Sequence, residues 1–169
     1  MNKSVIYIAV IFLCSCSSFE MHIKENTSAA APSLILIDTF DVRDINFNPH
    51  IAQELSSALH FEFFKMGCTS RTTEEREKEI SSAEPEDIAA LCREHGADFF
   101  ITGVISRRET GFLTERKAAT GILFQVYSGR GVLLSEGYFS DPDSPDIYVS
   151  VRRGAIKFAG ELAAGLWGR

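Results

Sequence analysis

Ala97-Asp98-Phe99-Phe100-Ile101-Thr102-Gly103-Val104-Ile105-Ser106-Arg107 follows Gly96 without a break and is dense in β-branched and aromatic residues. Alternation puts Phe99, Ile101 and Ile105 on one face of a strand and Phe100, Thr102 and Val104 on the other, so both faces are largely apolar near its start. Such a strand is central and covered on both sides. Gly103 in its middle predicts a bulge or the close approach of a helix. Just upstream, Gly96 sits where a left-handed residue closes a helix, and His95 suits the negative helix end.

The helix that delivers the chain to this strand starts at Pro85-Glu86-Asp87, with acidic residues in its first turn, and Ile88, Leu91, Cys92 and His95 line its inner face. Glu74 to Glu84 is charged and poor in apolar residues, a solvated helix or loop. Cys68 to Thr73 is short and threonine-rich, which suits an edge strand. Asn48-Pro49 offers an N-cap and a first-turn proline for a helix running to Gly67, whose sheet-facing stripe is Ile51, Ala52, Leu55, Ala58, Leu59, Phe63 and Met66. Glu62 inside the stripe predicts a bend near the helix end. Phe61 and Phe64 fall on its far side, where they either meet a partner or are covered by the next helix or loop. Leu34 to Phe40 is a continuous apolar run between polar turns, a buried strand that opens the domain.

Downstream, turn residues around Glu109-Thr110-Gly111 and Thr114-Glu115-Arg116 lead to a strand from Lys117 to Tyr127. Ser128-Gly129-Arg130-Gly131 is a tight turn and Val132 to Ser140 the last strand, so residues 97–140 read as an antiparallel meander. Ser144-Pro145-Asp146 caps a final helix to about Trp167, with Ile147, Val151, Ala155, Phe158, Ala159, Leu162 and Leu166 inward. Val149, Ile156, Gly160 and Trp167 form a second ridge off that stripe, which suits either a subunit or partner contact or packing against the first helix. The order β-α-β-α-β-β-β-α implies an α/β (α+β) domain, a mixed sheet with helices packed on it.

The 169 residues, 45% of them hydrophobic, bound the chain to one domain with an ordinary core. A net charge of −6 argues against non-specific nucleic-acid binding, which needs a basic footprint. Met1-Asn2-Lys3, the apolar run Val5 to Leu13 and the small residues after it have the layout of a signal peptide over residues 1–15. That run is far short of the roughly 20 apolar residues that span a bilayer. Leu13-Cys14-Ser15-Cys16 resembles a bacterial lipobox with Cys16 as the lipidated residue; Cys14 in its second position resembles the looser lipoboxes of spirochaetes. Cleavage before Cys14, or a plain secretory signal cleaved further on, are the alternatives. Ser17 is not the aspartate that marks inner-membrane retention in enteric bacteria, so the resemblance favours the outer membrane. Ser17 to Ser33 is small and polar and reads as a tether without a period, reaching at most about 60 Å when extended. Residues 16–33 thus precede a single domain at residues 34–169.

The opening strand Leu34 to Phe40, the junction Gly96 to Ile105 and the turn and strand Ser128-Gly129-Arg130-Gly131-Val132-Leu133 resemble a family of bacterial envelope lipoproteins. The family includes curli-secretion (CsgG-like) lipoproteins, outer-membrane activators of penicillin-binding proteins (LpoB-like) and the amino-terminal domain of TolB. The resemblance implies a lipid-anchored, non-catalytic module that helps assemble or regulate an envelope machine, in secretion or peptidoglycan synthesis. It departs in two places. The turn between Ser106 and Ala118 is too short for the inserted hairpins of curli-type pores, whose spanning strands need roughly 9 to 11 residues. The short tether does not match the long reach of the synthase activators.

Individual residues add little chemistry. Cys68 and Cys92 are the only thiols of the mature domain, and a disulfide between them or two buried thiols are both open. Cys92 and His95 make half a zinc site with nothing to complete it, so no metal or cofactor is expected. Asp141, Asp143 and Asp146 read as helix-capping residues ahead of calcium ligands. Arg107, Arg108, Arg116 and Lys117 meet at one hairpin, as a charged β-edge or as a phosphate or lipid-headgroup contact. No nucleophile elbow or phosphate loop is present. The expectation is an envelope protein bound to the membrane through its lipid, facing the periplasm or the cell surface. It meets protein partners, or copies of itself as a homo-oligomer, through Phe61 and Phe64, the ridge Val149, Ile156 and Trp167, or the basic hairpin. The rivals are a small-ligand or enzymatic site in the acidic loop Asp38, Asp41, Asp44, and a surface lipoprotein contacting a host.

Overall fold

The computed structural model describes residues 17–24, 30–43, 50–73, 84–110, 117–142 and 146–168. In chain order the elements are β1 (Ser18–Ile23), β2 (Leu34–Ile37), β3 (Asp41–Arg43), α1 (His50–Lys65), β4 (Thr69–Thr72), α2 (Pro85–His95), β5 (Phe99–Thr110), β6 (Lys117–Ser128), β7 (Leu133–Asp141) and α3 (Ile147–Leu166). The strands make one mixed sheet in the order β1-β7-β6-β5-β2-β4, with β3 also pairing to β5. β2 is parallel to β4 and β5, β3 is parallel to β5, and β5-β6-β7-β1 is antiparallel throughout. The expected α/β order is present, with β1 and β3 added to it.

The junction at Gly96 works as its sequence suggests. Gly96 has φ 67° and donates its N–H to the Arg93 and Cys92 carbonyls, closing α2. Two residues later the Asp98 carboxylate accepts from the Ser33 N–H (2.7 Å), the Ser33 hydroxyl (2.7 Å) and the Leu34 N–H (3.1 Å). Those bonds hold its pKa below the usual carboxylate range and fix the start of β2 beside β5. The tight turn after β6 docks on the same junction, the Gly129 N–H donating to the Asp98 carbonyl at 2.7 Å.

Gly103 keeps regular register with Phe124 of β6 and meets no helix, while on its other side the β2–β3 chain carries one extra residue between the pairs Ile37–Ile101 and Asp41–Val104. A Cβ there would lie 2.8 Å from the Phe40 ring and 1.9 Å from the Leu123 carbonyl oxygen, so the gap seats an aromatic ring and a close strand. The irregularity in the meander lies instead between β6 and β7, at Val126 and Tyr127. Gly103, Phe124 and Gly137 are in register across β5, β6 and β7. The Phe124 ring stacks on Phe158 of α3 at 4.2 Å and meets Phe40 and Phe19 edge-on at 5.7 and 6.4 Å.

Phe19 belongs to β1, and the expected tether is corrected here. Ser18–Ile23 is an edge strand antiparallel to β7. Its apolar residues Phe19, Met21 and Ile23 alternate with Ser18, Glu20 and His22 and pack on the main core. Phe19 lies over the gap at Gly137, where a Cβ would come within 2.9 Å of its ring.

α1 and α3 cover this face of the sheet. α1 is uninterrupted through Glu62, whose carboxylate pairs with Lys65. α2 covers the other face only near its end, where Ile88, Leu91 and Cys92 pack with Leu36 and Phe100. His95, expected inward, is exposed. The edge strand β4 is fastened to α1 by His60, whose Nδ1 lies 2.5 Å from the Ser70 hydroxyl and Nε2 2.7 Å from the Thr72 hydroxyl.

Truncating the partly buried Phe19 to alanine should cost about 1 to 3 kcal/mol in urea unfolding, less than a fully buried phenylalanine, whereas a tether residue would cost nothing. Gly103→Ala should destabilise the chain by at least about 1 to 3 kcal/mol, because a backbone carbonyl has to move. Burial lowers the His60 pKa below its ordinary 6.5, so the unfolded chain takes up a proton that the folded imidazole resists. The neutral ring's contribution is therefore complete above about pH 6.5 and declines as the pH falls below it. Melting curves between pH 7.5 and 5 should show a smaller drop for His60→Gln than for the unsubstituted chain.

Candidate functional site

The stripe of α1 that meets the sheet, Ile51, Ala52, Leu55, Leu59 and Phe63, is buried, which turns Phe61 and Phe64 outward. They are 61% and 77% exposed; the next stretch of chain, residues 74–83, lies outside the described residues. On α3, Ile156 is 53% and Val149 40% exposed. Phe61 and Ile156 come together, since both line a shallow groove of about 460 Å³ between the two helices, with Glu54, Ala58 and Arg152. The Arg152 guanidinium donates to Glu54 at 2.6 Å across the groove, and the Lys65 ammonium stands 5.1 Å from the Phe61 ring centre.

Trp167 does not belong to this surface. It is 8% exposed and packs against Phe63 and Phe99, with ring centres 6.1 and 6.2 Å away. Ala163, Leu166 and Trp167 follow the inner spacing of α3, and that signal assigns the indole to the core. Cys68 and Cys92 are both buried and are not bridged. Cys68 lies in the cluster under α1 and α3, Cys92 in the cluster under α2, with the sheet between them. Burial raises the Cys92 pKa to about 11, so it remains a protonated, unreactive thiol.

The two described carboxylates of the acidic loop after β2 are both engaged within the fold. Asp38 is buried and accepts from the Thr73 hydroxyl at 2.6 Å and the Thr102 hydroxyl at 3.5 Å, while Asp41 pairs with Arg43 at 2.9 Å. Asp44 lies outside the described residues. In the later cluster, Asp146 caps α3 by accepting from the Tyr148 N–H at 2.9 Å. Asp141 is buried and accepts from the Ser150 hydroxyl at 2.9 Å, with Arg153 at 3.5 Å; Asp143 is outside the described residues. Among the described residues no group of three His, Cys, Asp or Glu side chains is placed to hold a metal ion.

The face of the sheet that α2 leaves uncovered holds a feature the sequence signals only through its basic hairpin. A hollow of about 580 Å³ lies where β5 and β6 run on past the end of β7, bordered by Ser106, Arg107, Arg108, Thr120, Gly121, Tyr138 and Ser140. Gly121 is its floor. A Cβ there would lie 2.6 Å from the Tyr138 hydroxyl and 3.0 Å from the Ser106 hydroxyl, so the missing side chain lets both approach the backbone. The fully buried Thr120 hydroxyl has no hydrogen-bond partner among the described atoms. Arg116 is outside the described residues, and only the backbone of Lys117 is described.

No family model and no curated protein matches the chain. Solved structures do. The PelC dodecamer from Paraburkholderia phytofirmans superposes with a TM-score of 0.63 at 8% identity, over 84% of this chain and 94% of that one. A second PelC dodecamer structure from the same organism gives 0.60 at 10% identity, over 91% and 100%. The hypothetical protein CT253 from Chlamydia trachomatis gives 0.55 at 12% identity, over 82% and 100%. At such identities the likeness is one of fold.

Proposed function

We propose that the chain is a lipid-anchored, non-catalytic module of the bacterial envelope that works through protein contacts, self-association first among them, in the assembly or regulation of an envelope machine. The observation that carries this reading is the exposed helical face. Phe61, Phe64, Ile156 and Val149 lie in the open above a filled core, on the two helices that otherwise spend their apolar residues on the sheet. A monomer gains nothing from aromatic rings in water, whereas a second subunit gains about 1.5 to 3 kcal/mol for each ring it buries. That the similar PelC fold occurs as a dodecamer supports self-association. A closed ring needs a heterologous contact, so this face would meet a different surface of the next subunit.

Anchoring at Cys16 gains a structural consequence from β1. Cys16 itself is outside the described residues, but Ser17 is fixed, its carbonyl and hydroxyl accepting from the Lys157 ammonium at 2.7 and 3.0 Å. Lipid on Cys16 would therefore hold the domain directly at its bilayer, since the two residues to Ser18 span roughly 7 Å. Partners then meet it at that same leaflet, in the outer membrane on this reading.

Two measurements on the full chain extracted from its own membranes test the reading separately. The intact mass should show an amino terminus at Cys16 carrying diacylglycerol; an unmodified terminus further along would remove the anchor. Light scattering and crosslinking in neutral detergent should show an oligomer that the Phe61→Ser, Phe64→Ser double variant loses, with affinity reduced roughly 100-fold and the melting curve preserved. An unchanged assembly in that variant would move the contact elsewhere.

A further inference from the structure

We infer that the hollow over Gly121 is a binding site for a phosphate group, set to take the headgroup phosphate of a membrane lipid. The ionic side chains among its described lining residues are arginines, Arg107 and Arg108, with no carboxylate. Arg108 is exposed, on the same face as Ser106. Around it three hydroxyls converge from two strands, Ser106 of β5 and Tyr138 and Ser140 of β7. The Ser106 hydroxyl donates only a long bond of 3.4 Å to the Gly121 carbonyl, so its one proton can turn to a stronger acceptor at little cost. A planar carboxylate is served by one guanidinium fork. A tetrahedral phosphate uses a fork together with hydroxyls approaching from other directions, which is the arrangement here. The volume, about 580 Å³, leaves room for the ester substituents of a headgroup beyond the phosphate itself.

Position supplies the source of the phosphate. Ser140, on the rim, is paired with Ser18, the first residue of β1. β1 runs away from this end of the sheet, so the chain before Ser18 leads back toward the extended β5-β6 hairpin, and Cys16 is two residues away. A lipid on Cys16 would bring the bilayer surface to the rim of the hollow. The headgroup as source rests on the anchoring proposed above, whereas the phosphate site does not.

The test uses the isotope-labelled full chain in neutral maltoside micelles, titrated with inorganic phosphate and, in a separate arm, with micelles doped with phosphatidylglycerol or with diacylglycerol, which lacks phosphate. The expected result is saturable amide shifts at Gly121, Ser140 and Ser106 with phosphatidylglycerol and not with diacylglycerol, displaced by inorganic phosphate. Arg108→Gln should weaken them about tenfold or more. Tyr138→Phe should weaken them several-fold, and unshifted amides in α1 and α3 would show that both variants are folded. Shifts with inorganic phosphate alone would keep the site and overturn its lipid source. No saturable shift in either arm, or shifts indifferent to both substitutions, would overturn the site whether or not Cys16 carries lipid.

Discussion

The row Gly103, Phe124, Gly137 sets what the rest of the chain can do. Three adjacent strands place one aromatic ring between two positions that have no side chain, and each gap takes a ring from outside the row. Phe40 comes from the loop after β2 and Phe19 from β1, while Phe158 of α3 stacks on Phe124 from above. Four elements distant in sequence are thereby joined through one side chain. Interiors are packed too densely for such an arrangement to lose one ring quietly, because the rings beside it would face a void. The β5-β6-β7 meander is local in sequence, but its core is completed only when both ends of the chain arrive.

β1 changes what a lipid on Cys16 would do to the domain. As a tether, residues 16–33 would let the domain roam; with Phe19 packed against the core and Ser17 bound by Lys157, a lipid on Cys16 would have almost no slack before the first strand. Reach is replaced by orientation. Lipid on Cys16 would present one particular end of the sheet to the bilayer, the end where β5 and β6 run on together past β7.

Where one physical cause dominated, the sequence was readable. The strand at Phe99 to Thr110, the capped helix before it and the inner face of α3 each rest on several residues that agree. Ser18-Phe19-Glu20-Met21-His22-Ile23 carries an alternation just as regular, but it is short and follows a lipobox-like cysteine, where flexible tethers are usual. Context overrode pattern, and the pattern was right. Gly103 was legible as a special position and illegible in its reason, because its partner Phe40 is distant in sequence and is brought there by the loop. Trp167 misled because amphipathic residues at a helix end suit an interface as well as a core; only the i, i+3, i+4 spacing with Ala163 and Leu166 separates the two. The hollow over Gly121 could not be found from sequence, since its parts meet only through strand register.

The division of the sheet into two unlike faces keeps the two proposed surfaces apart. Phe61, Phe64 and Ile156 stand on the helices that cover one face, and Arg108, Tyr138 and Ser140 lie on the other, beyond the end that α2 covers. Apolar contact and anion contact have opposite dependences on salt, one strengthened and the other screened, so a single surface could not serve both well. On opposite sides of one seven-stranded sheet, a protein contact could form without displacing a headgroup. The shared sheet fixes the angle between the two. Subunits joined through the helical face would then hold their anchored ends in a constant orientation toward the bilayer, which a flexible tether could not enforce.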